Sequence, residues 1–208
     1  MNYEILYAFM GATGMLAIFP GPDNIYVLMQ SISNGKKYGL ATVAGLMSGC
    51  LVHTTLLAFG VSAIINQSEQ LFFIIKLLGA GYLFYLAFKV YRSSDVIKLS
   101  SEETPEKNLI QLFRQGFIMN VLNPKVTIFF LAFFPGFLFS ESLGTVFQFY
   151  VLGFLFIAVS GVIFSLIAIL SGLISEIIIK NANVGIILKW LQIIVFVGIA
   201  VYLLLSDK

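Results

Sequence analysis

The stretch Gly14-Met15-Leu16-Ala17-Ile18-Phe19-Pro20-Gly21-Pro22-Asp23 decides the fold. No charge falls between Glu4 and Asp23, and a helix that crosses the bilayer core needs about 20 apolar residues. Two prolines flank a glycine inside this run. Proline removes a backbone donor and its ring clashes with the preceding turn, so Pro20-Gly21-Pro22 is more disruptive than a kink. The spacing predicts a helix ending near Phe19 and a second restarting at Pro22, with Gly21 as its cap. In hydrocarbon the backbone groups freed by such a break need partners, which sets it against protein or a water-filled cavity.

The same arrangement recurs later in the chain. Gly14 stands eight residues before Pro22, and Asp23 follows. Gly116 stands eight residues before Pro124, and Lys125 follows. Asn123 is a good helix cap and Pro124 again suits the first helical position. Two half-helix N-termini would then meet near the middle of the membrane. Each presents N–H groups and the positive end of a helix dipole, an environment suited to a carboxylate.

Composition places the whole chain in the membrane. Of 208 residues, 59% are hydrophobic and 11% charged, with a mean hydropathy of +0.98. Soluble domains carry about 25% charged residues. The net charge of +2 gives no argument for nucleic acid, and a single cysteine, Cys50, forms no internal disulfide. The gaps between charges predict six spans, at 3–33, 38–65, 71–91, 109–139, 144–178 and 184–205. The first and fourth are long and proline-interrupted. Residues 92–108 carry Arg92, Asp95, Lys98, Glu102, Glu103, Glu106 and Lys107 and form a polar, cytoplasmic linker. The predicted organisation is therefore an all-α integral membrane protein with a three-helix repeat over 1–91, the linker, and a second three-helix repeat over 109–208. An odd number of spans per half gives the halves opposite orientation.

Lys and Arg set orientation. With the N-terminus outside, Lys36, Lys37, Lys89, Arg92, Lys98, Lys107, Arg114, Lys180 and Lys189 lie inside, and only Lys76 and Lys208 lie outside. Both termini are predicted outside. No Lys or Arg precedes the first span, so the start lacks the charged region of a signal peptide.

Asp23 and Lys125 are the acid and base that fall deep within spans. A charge at the bilayer centre costs about 2.5–3.5 kcal/mol on insertion scales, and such residues are functional by default. The dipole of a first helical turn favours Asp23 and disfavours Lys125, so Lys125 calls for a partner or a ligand. An acid and a base held together match a zwitterion, with the carboxylate on Lys125 and the half-helix ends and the ammonium on Asp23. The alternative is a structural ion pair that locks the halves. Candidate substrate-binding residues are Gly21, Pro22, Asp23, Asn24, Asn120, Asn123, Pro124 and Lys125, with Pro20, Gly21, Pro22, Asn123 and Pro124 making the breaks. Asn24 and Asn120 either orient substrate or hydrogen-bond between helices.

His53, the only histidine, shares a helical face with Cys50. It is a hydrogen-bonded interior histidine, a proton or polar relay with Asp23, or half of a soft-metal site. A zinc-like site wants three or four ligands, so no metal site is assigned. Gly45 and Gly49 form a G-x-x-x-G pattern that suits internal packing more often than a homo-oligomer. Gln115 and Ser160 are further polar residues within spans. Phe129, Phe130, Phe133, Phe134 and Phe137 follow helical spacing and read as lipid-facing or core.

Pro20-Gly21-Pro22, Gly35-Lys36-Lys37-Tyr38-Gly39-Leu40 and Asn120-Val121-Leu122-Asn123-Pro124-Lys125 resemble the LysE/RhtB family of bacterial amino-acid exporters. Lys76-Leu77-Leu78-Gly79-Ala80-Gly81-Tyr82-Leu83 resembles that family's third span, and the resemblance covers essentially the whole chain. It implies a secondary transporter of the bacterial inner membrane, driven by the membrane potential or a proton gradient, with an amino acid as substrate and lipid as surroundings. Asp23 balanced by Lys125 favours a neutral amino acid over a basic one. A heavy-metal cation exporter of the wider superfamily is the alternative, and one Cys, one His and six Met supply few ligands for it. An enzyme with Cys50 as nucleophile and His53 as base would want a third group, and none is evident. The reading is a transporter, not an enzyme, and it calls for no cofactor.

Overall fold

The computed structural model describes residues 2–63, 69–93, 108–181 and 183–205, of which 69, 72, 124, 125 and 179 are described by backbone alone. The polar linker thus lies almost wholly outside the described residues. All regular structure within them is helical. The helices are α1 (Tyr3–Ile18), α2 (Pro22–Asn34), α3 (Lys36–Leu56), α4 (Glu69–Arg92) and α5 (Leu109–Val121). They continue with α6 (Pro124–Phe133), α7 (Thr145–Ile169), α8 (Ser171–Lys180) and α9 (Asn183–Leu205). A π turn, Leu57–Val61, extends α3, and a 3₁₀ turn, Phe134–Phe137, extends α6.

Local chemistry sets the boundaries. The Asn2 side chain accepts from the Glu4 and Ile5 amides at 3.0 and 3.4 Å and caps α1. Chain extension at Phe19, ahead of Pro20, ends it. Pro22 opens α2 behind Gly21, and Asp23 occupies the first turn. Gly35, at φ 98°, turns the chain from α2 into α3, a conformation only glycine adopts without strain. A reciprocal pair of bonds between Asn108 and Gln111 caps α5.

Lys36–Val61, Phe73–Arg92, Thr145–Ile169 and Asn183–Leu205 are each long and apolar enough to cross a bilayer. Two further pairs are bent at a short break: Tyr3–Ile18 with Pro22–Asn34 by 58°, and Leu109–Val121 with Val126–Phe137 by 52°. The chain is a multi-pass membrane protein with four to six candidate spans. The stretch 144–178, expected as one span, is two helices. At about 1.5 Å per residue α7 already exceeds the ~30 Å core, and the chain turns at Leu170 before α8 starts.

Helices that precede the linker pack against helices that follow it. α5 packs on α3, and α1 packs on α7. α3 and α7 touch each other, as do α4 and α9. The α3–α5 crossing brings backbones together: a Cβ on Gly45 would strike the Phe113 carbonyl, and one on Gly116 would strike the Thr42 carbonyl. The G-x-x-x-G face is therefore used for internal packing. The core between the halves is aromatic, with Phe9, Phe130, Phe133, Phe134, Phe149 and Phe196 fully buried. The phenylalanines at 129, 130, 133, 134 and 137 are core, not lipid-facing.

One glutamine holds an end of the bundle. Gln148 Oε1 accepts from the Phe139 and Ser140 amides at 2.8 and 2.9 Å, and its Nε2 donates to the Ser140 and Leu143 carbonyls at 2.8 Å each. Each such bond contributes about 0.5–1.5 kcal/mol. Gln148→Leu is expected to lower stability by about 2–4 kcal/mol, read as an earlier thermal unfolding in detergent.

Candidate functional site

The two breaks face one another. A continuous helix would have carried the Gly21 N–H to the Ala17 carbonyl, but Pro20 turns the chain away. The Asn24 side chain takes that place, its Nδ2 donating to Ala17 O at 2.7 Å. In the second half, residue 124 would have donated to the Asn120 carbonyl, and Pro124 has no N–H. His53 Nε2 lies 3.0 Å from that carbonyl. A carbonyl oxygen only accepts, so Nε2 carries the proton and donates. The Asn123 amide also reaches it, at 3.0 Å. Each break is thus repaired by a polar side chain: the amide of Asn24 in its own half, and the imidazole of His53 from the neighbouring α3.

A side-chain bond joins the two helix starts. Asn123, ahead of α6, donates through Nδ2 to Asp23 Oδ2 on the first turn of α2 at 3.2 Å. The contact joins residues one hundred positions apart. Beside it lies a cavity of about 100 Å³. A single water requires about 10–15 Å³ by this measure, so the space suits a small solute.

Gly21, Pro22, Asp23, Asn24, Asn120 and Asn123 all line this cavity, with Cys50 and Ser160. Apolar residues complete the wall, among them Met47, Phe129, Phe156 and Phe196. Pro20 lies outside it and faces an apolar groove between α2, α7 and α8. The side chains of Pro124 and Lys125 lie outside what the structure describes. His53 does not line the cavity; it is buried behind Asn120, with its ring 5.5 Å from that of Phe130. Among the described residues, no three His, Cys, Asp or Glu converge as metal ligands.

The sequence reading missed three features. Ser160 appeared there only as a polar residue of a span; it is buried against the cavity. The apolar wall comes from α1, α3, α4, α6, α7 and α9 together, which no single segment announces. Lys76, placed by sequence at the outer end of its span, is buried on α4 beside Ala80. The signal for it was periodic: Lys76, Gly79, Ala80 and Leu83 share one helical face.

His53→Leu removes the imidazole donor from the Asn120 carbonyl. Stability is expected to fall by about 1–2 kcal/mol, and His53→Gln, which keeps an N–H donor, to recover part of it. Thermal unfolding of the purified variants measures both.

Comparison with known proteins gives the family. The family model described as LysE type translocator matches residues 14–207. The uncharacterized membrane protein YrhP of Bacillus subtilis is 31% identical over 141 residues, 64% of this chain and 67% of the relative. The homoserine/homoserine lactone efflux protein of Salmonella typhimurium is 30% identical over 139 residues, 66% of either chain. The chain spans about two thirds of the length of the curated relatives it matches. No solved structure matches it. By the family match over nearly its whole length, the chain belongs to the LysE-type translocators.

Proposed function

We propose that the protein exports small neutral amino acids, or close derivatives of them, across the bacterial inner membrane as a secondary transporter. The substrate sits as a zwitterion between the starts of α2 and α6. One observation carries the reading: the Asp23 carboxylate and the Asn123 amide meet, 3.2 Å apart, on the wall of a small cavity bounded by both helix breaks. Asp23 receives the ammonium. The first turns of α2 and α6 and the Lys125 ammonium receive the carboxylate. Asn24 and His53 hold the broken ends in place, and Asp23 with His53 is the candidate route for a coupling proton. The family and the relative named for homoserine and homoserine lactone efflux support an amino-acid-like substrate.

The proposal includes two inverted three-helix repeats, each with one broken span. The interlocked packing supports it: the first helix of each half packs on the second helix of the other, and equivalent helices meet in the α3–α7 and α4–α9 pairs. A two-fold relation gives that pattern. Both termini are proposed to lie outside. Lys189 Nζ donates to Ser93 O at 2.8 Å and Trp190 packs on Tyr91, which gathers basic and aromatic residues at the end proposed to face inward. The Asn2 amide donates to Phe139 O at the other end.

The test is efflux of preloaded, labelled amino acids from proteoliposomes, neutral and basic, with and without a proton gradient. Efflux of the neutral class is the expected result; no efflux of any amino acid by well-folded protein overturns the proposal.

A further inference from the structure

Behind the first helix break lies an apolar groove of about 400 Å³. Ile18 and Pro20 of the break form one wall, Ile163 and Leu166 of α7 form another, and residues of α8 and α9 complete it. Asn24 is the one polar residue among those that line it, and its Nδ2 already donates to Ala17 O at 2.7 Å. Among the described residues, Asn24 alone lines both this groove and the substrate cavity. The side chain that holds the broken end of α1 thus stands between the two hollows.

The groove lies at membrane depth. Its walls include α7 and α9, each long and apolar enough to cross a bilayer. From Ile163 to Leu170 it follows α7 for about 10 Å, at 1.5 Å per residue, and then continues along α8. One end is the break, which the sequence places near the middle of the membrane. Toward the other end α8 carries an exposed ion pair, Glu176 with Lys180, while no charged side chain lines the groove itself. A hydrocarbon core of about 30 Å gives each leaflet roughly half of that, so the groove runs the depth of one leaflet. A polar ligand would find no free partner in it. Left empty, its walls would forfeit the dispersion contacts that a filled groove makes. The bilayer supplies chains of the required length and chemistry on every side.

We propose that this groove binds one acyl chain of a membrane phospholipid, from the leaflet on the Lys180 side, and that this acyl chain braces the broken α1–α2 span from behind. It packs on Ile18 and Pro20, where proline interrupts the backbone ladder, and against Asn24, whose bond to Ala17 O ties α2 back to α1. The inference needs the protein to span a bilayer and needs no particular transported solute, so it stands apart from the export reading.

The test uses the whole protein, extracted in detergent from proteoliposomes of dioleoyl phosphatidylethanolamine and dioleoyl phosphatidylglycerol. Phospholipid that survives detergent washing is counted by mass spectrometry of the intact protein. Leu166→Trp fills the groove from α7 and Val184→Trp from α9, so the test survives the failure of one of them to fold. Val162→Trp, on α7 at a residue 62% exposed that does not line the groove, is the control. Wild type and the control are expected to retain a phospholipid, and the two filled variants about tenfold less. Stripping the retained lipid should lower the thermal unfolding temperature of wild type, and adding the same lipids back should restore it. Leu166→Trp should respond to neither step, because the indole takes the place of the acyl chain. Wild type that retains no phospholipid overturns the inference. So does equal retention by the filled variants, or a dimer in place of the lipid that Leu166→Trp dissociates, which would give the groove to a second copy. None of these results decides the export reading, which rests on the efflux assay.

Discussion

Asp23→Asn is expected to cut amino-acid efflux by about a hundredfold while the protein still folds. Asparagine keeps the shape and an oxygen that accepts from Asn123 Nδ2, so the 3.2 Å bond between the two helix starts survives the change. What disappears is the charge. Removing one partner of a desolvated charge pair costs roughly 2–5 kcal/mol, and each 1.4 kcal/mol is tenfold. Lys125→Met should do the same from the carboxylate side. The double variant separates a substrate clamp from a structural lock. If Asp23 and Lys125 serve only to hold the halves together, each single variant strands a buried charge and loses stability, and removing both restores stability and efflux. If they hold a zwitterion, the double variant folds and remains inactive. Efflux and thermal unfolding, measured on all four proteins, give the two outcomes different signatures.

The parts of the candidate site that lie along the chain were legible in the sequence, and the parts assembled across it were not. Proline acts on its own neighbours, so the breaks at Pro20-Gly21-Pro22 and Asn123-Pro124 could be read locally, with Asp23 beside the first. The partners that repair them were less evident. Asn24 is close enough in sequence to suspect, but His53 reaches the Asn120 carbonyl from 67 residues away. Ser160 gave little signal because α7 is apolar on every side, as a helix facing lipid and protein at once must be. Without a polar face, periodicity does not say which side is inward. The same limit hid the phenylalanine core, since a stripe facing protein and a stripe facing lipid look alike in sequence. The end of the fifth span was misread because α8 continues the apolar run without a charge before Glu176.

Gly45→Val and Gly116→Val are expected to be the most damaging substitutions for the fold. In a bilayer, helix association draws on close van der Waals contact more than on removal of apolar surface from water. The α3–α5 crossing depends on that contact being backbone to backbone. At Gly45 the first added carbon meets the Phe113 carbonyl, and at Gly116 it meets the Thr42 carbonyl. A side chain can rotate away from an intruding atom; a helix carbonyl cannot, so the helices must separate. Overpacking usually costs about 1–3 kcal/mol, and the backbone contact puts these two at or above that range, on the order of 3 kcal/mol each. Gly198→Ala on α9 is the control: a Cβ there meets nothing within 4 Å, so stability should hold or rise. Gly49→Ala falls between these cases and links the crossing to transport. Its new carbon would press on the Asn120 side chain, not on a carbonyl. The Asn120 amide can rotate away from the contact, but its Cβ, 2.8 Å from the new carbon, moves only with α5, and either change disturbs a residue that lines the cavity. Gly49→Ala should therefore lose some stability, less than Gly45→Val, and also lose efflux. An equal loss of stability at Gly45 and Gly49 would mean instead that the crossing tolerates no added carbon anywhere along it.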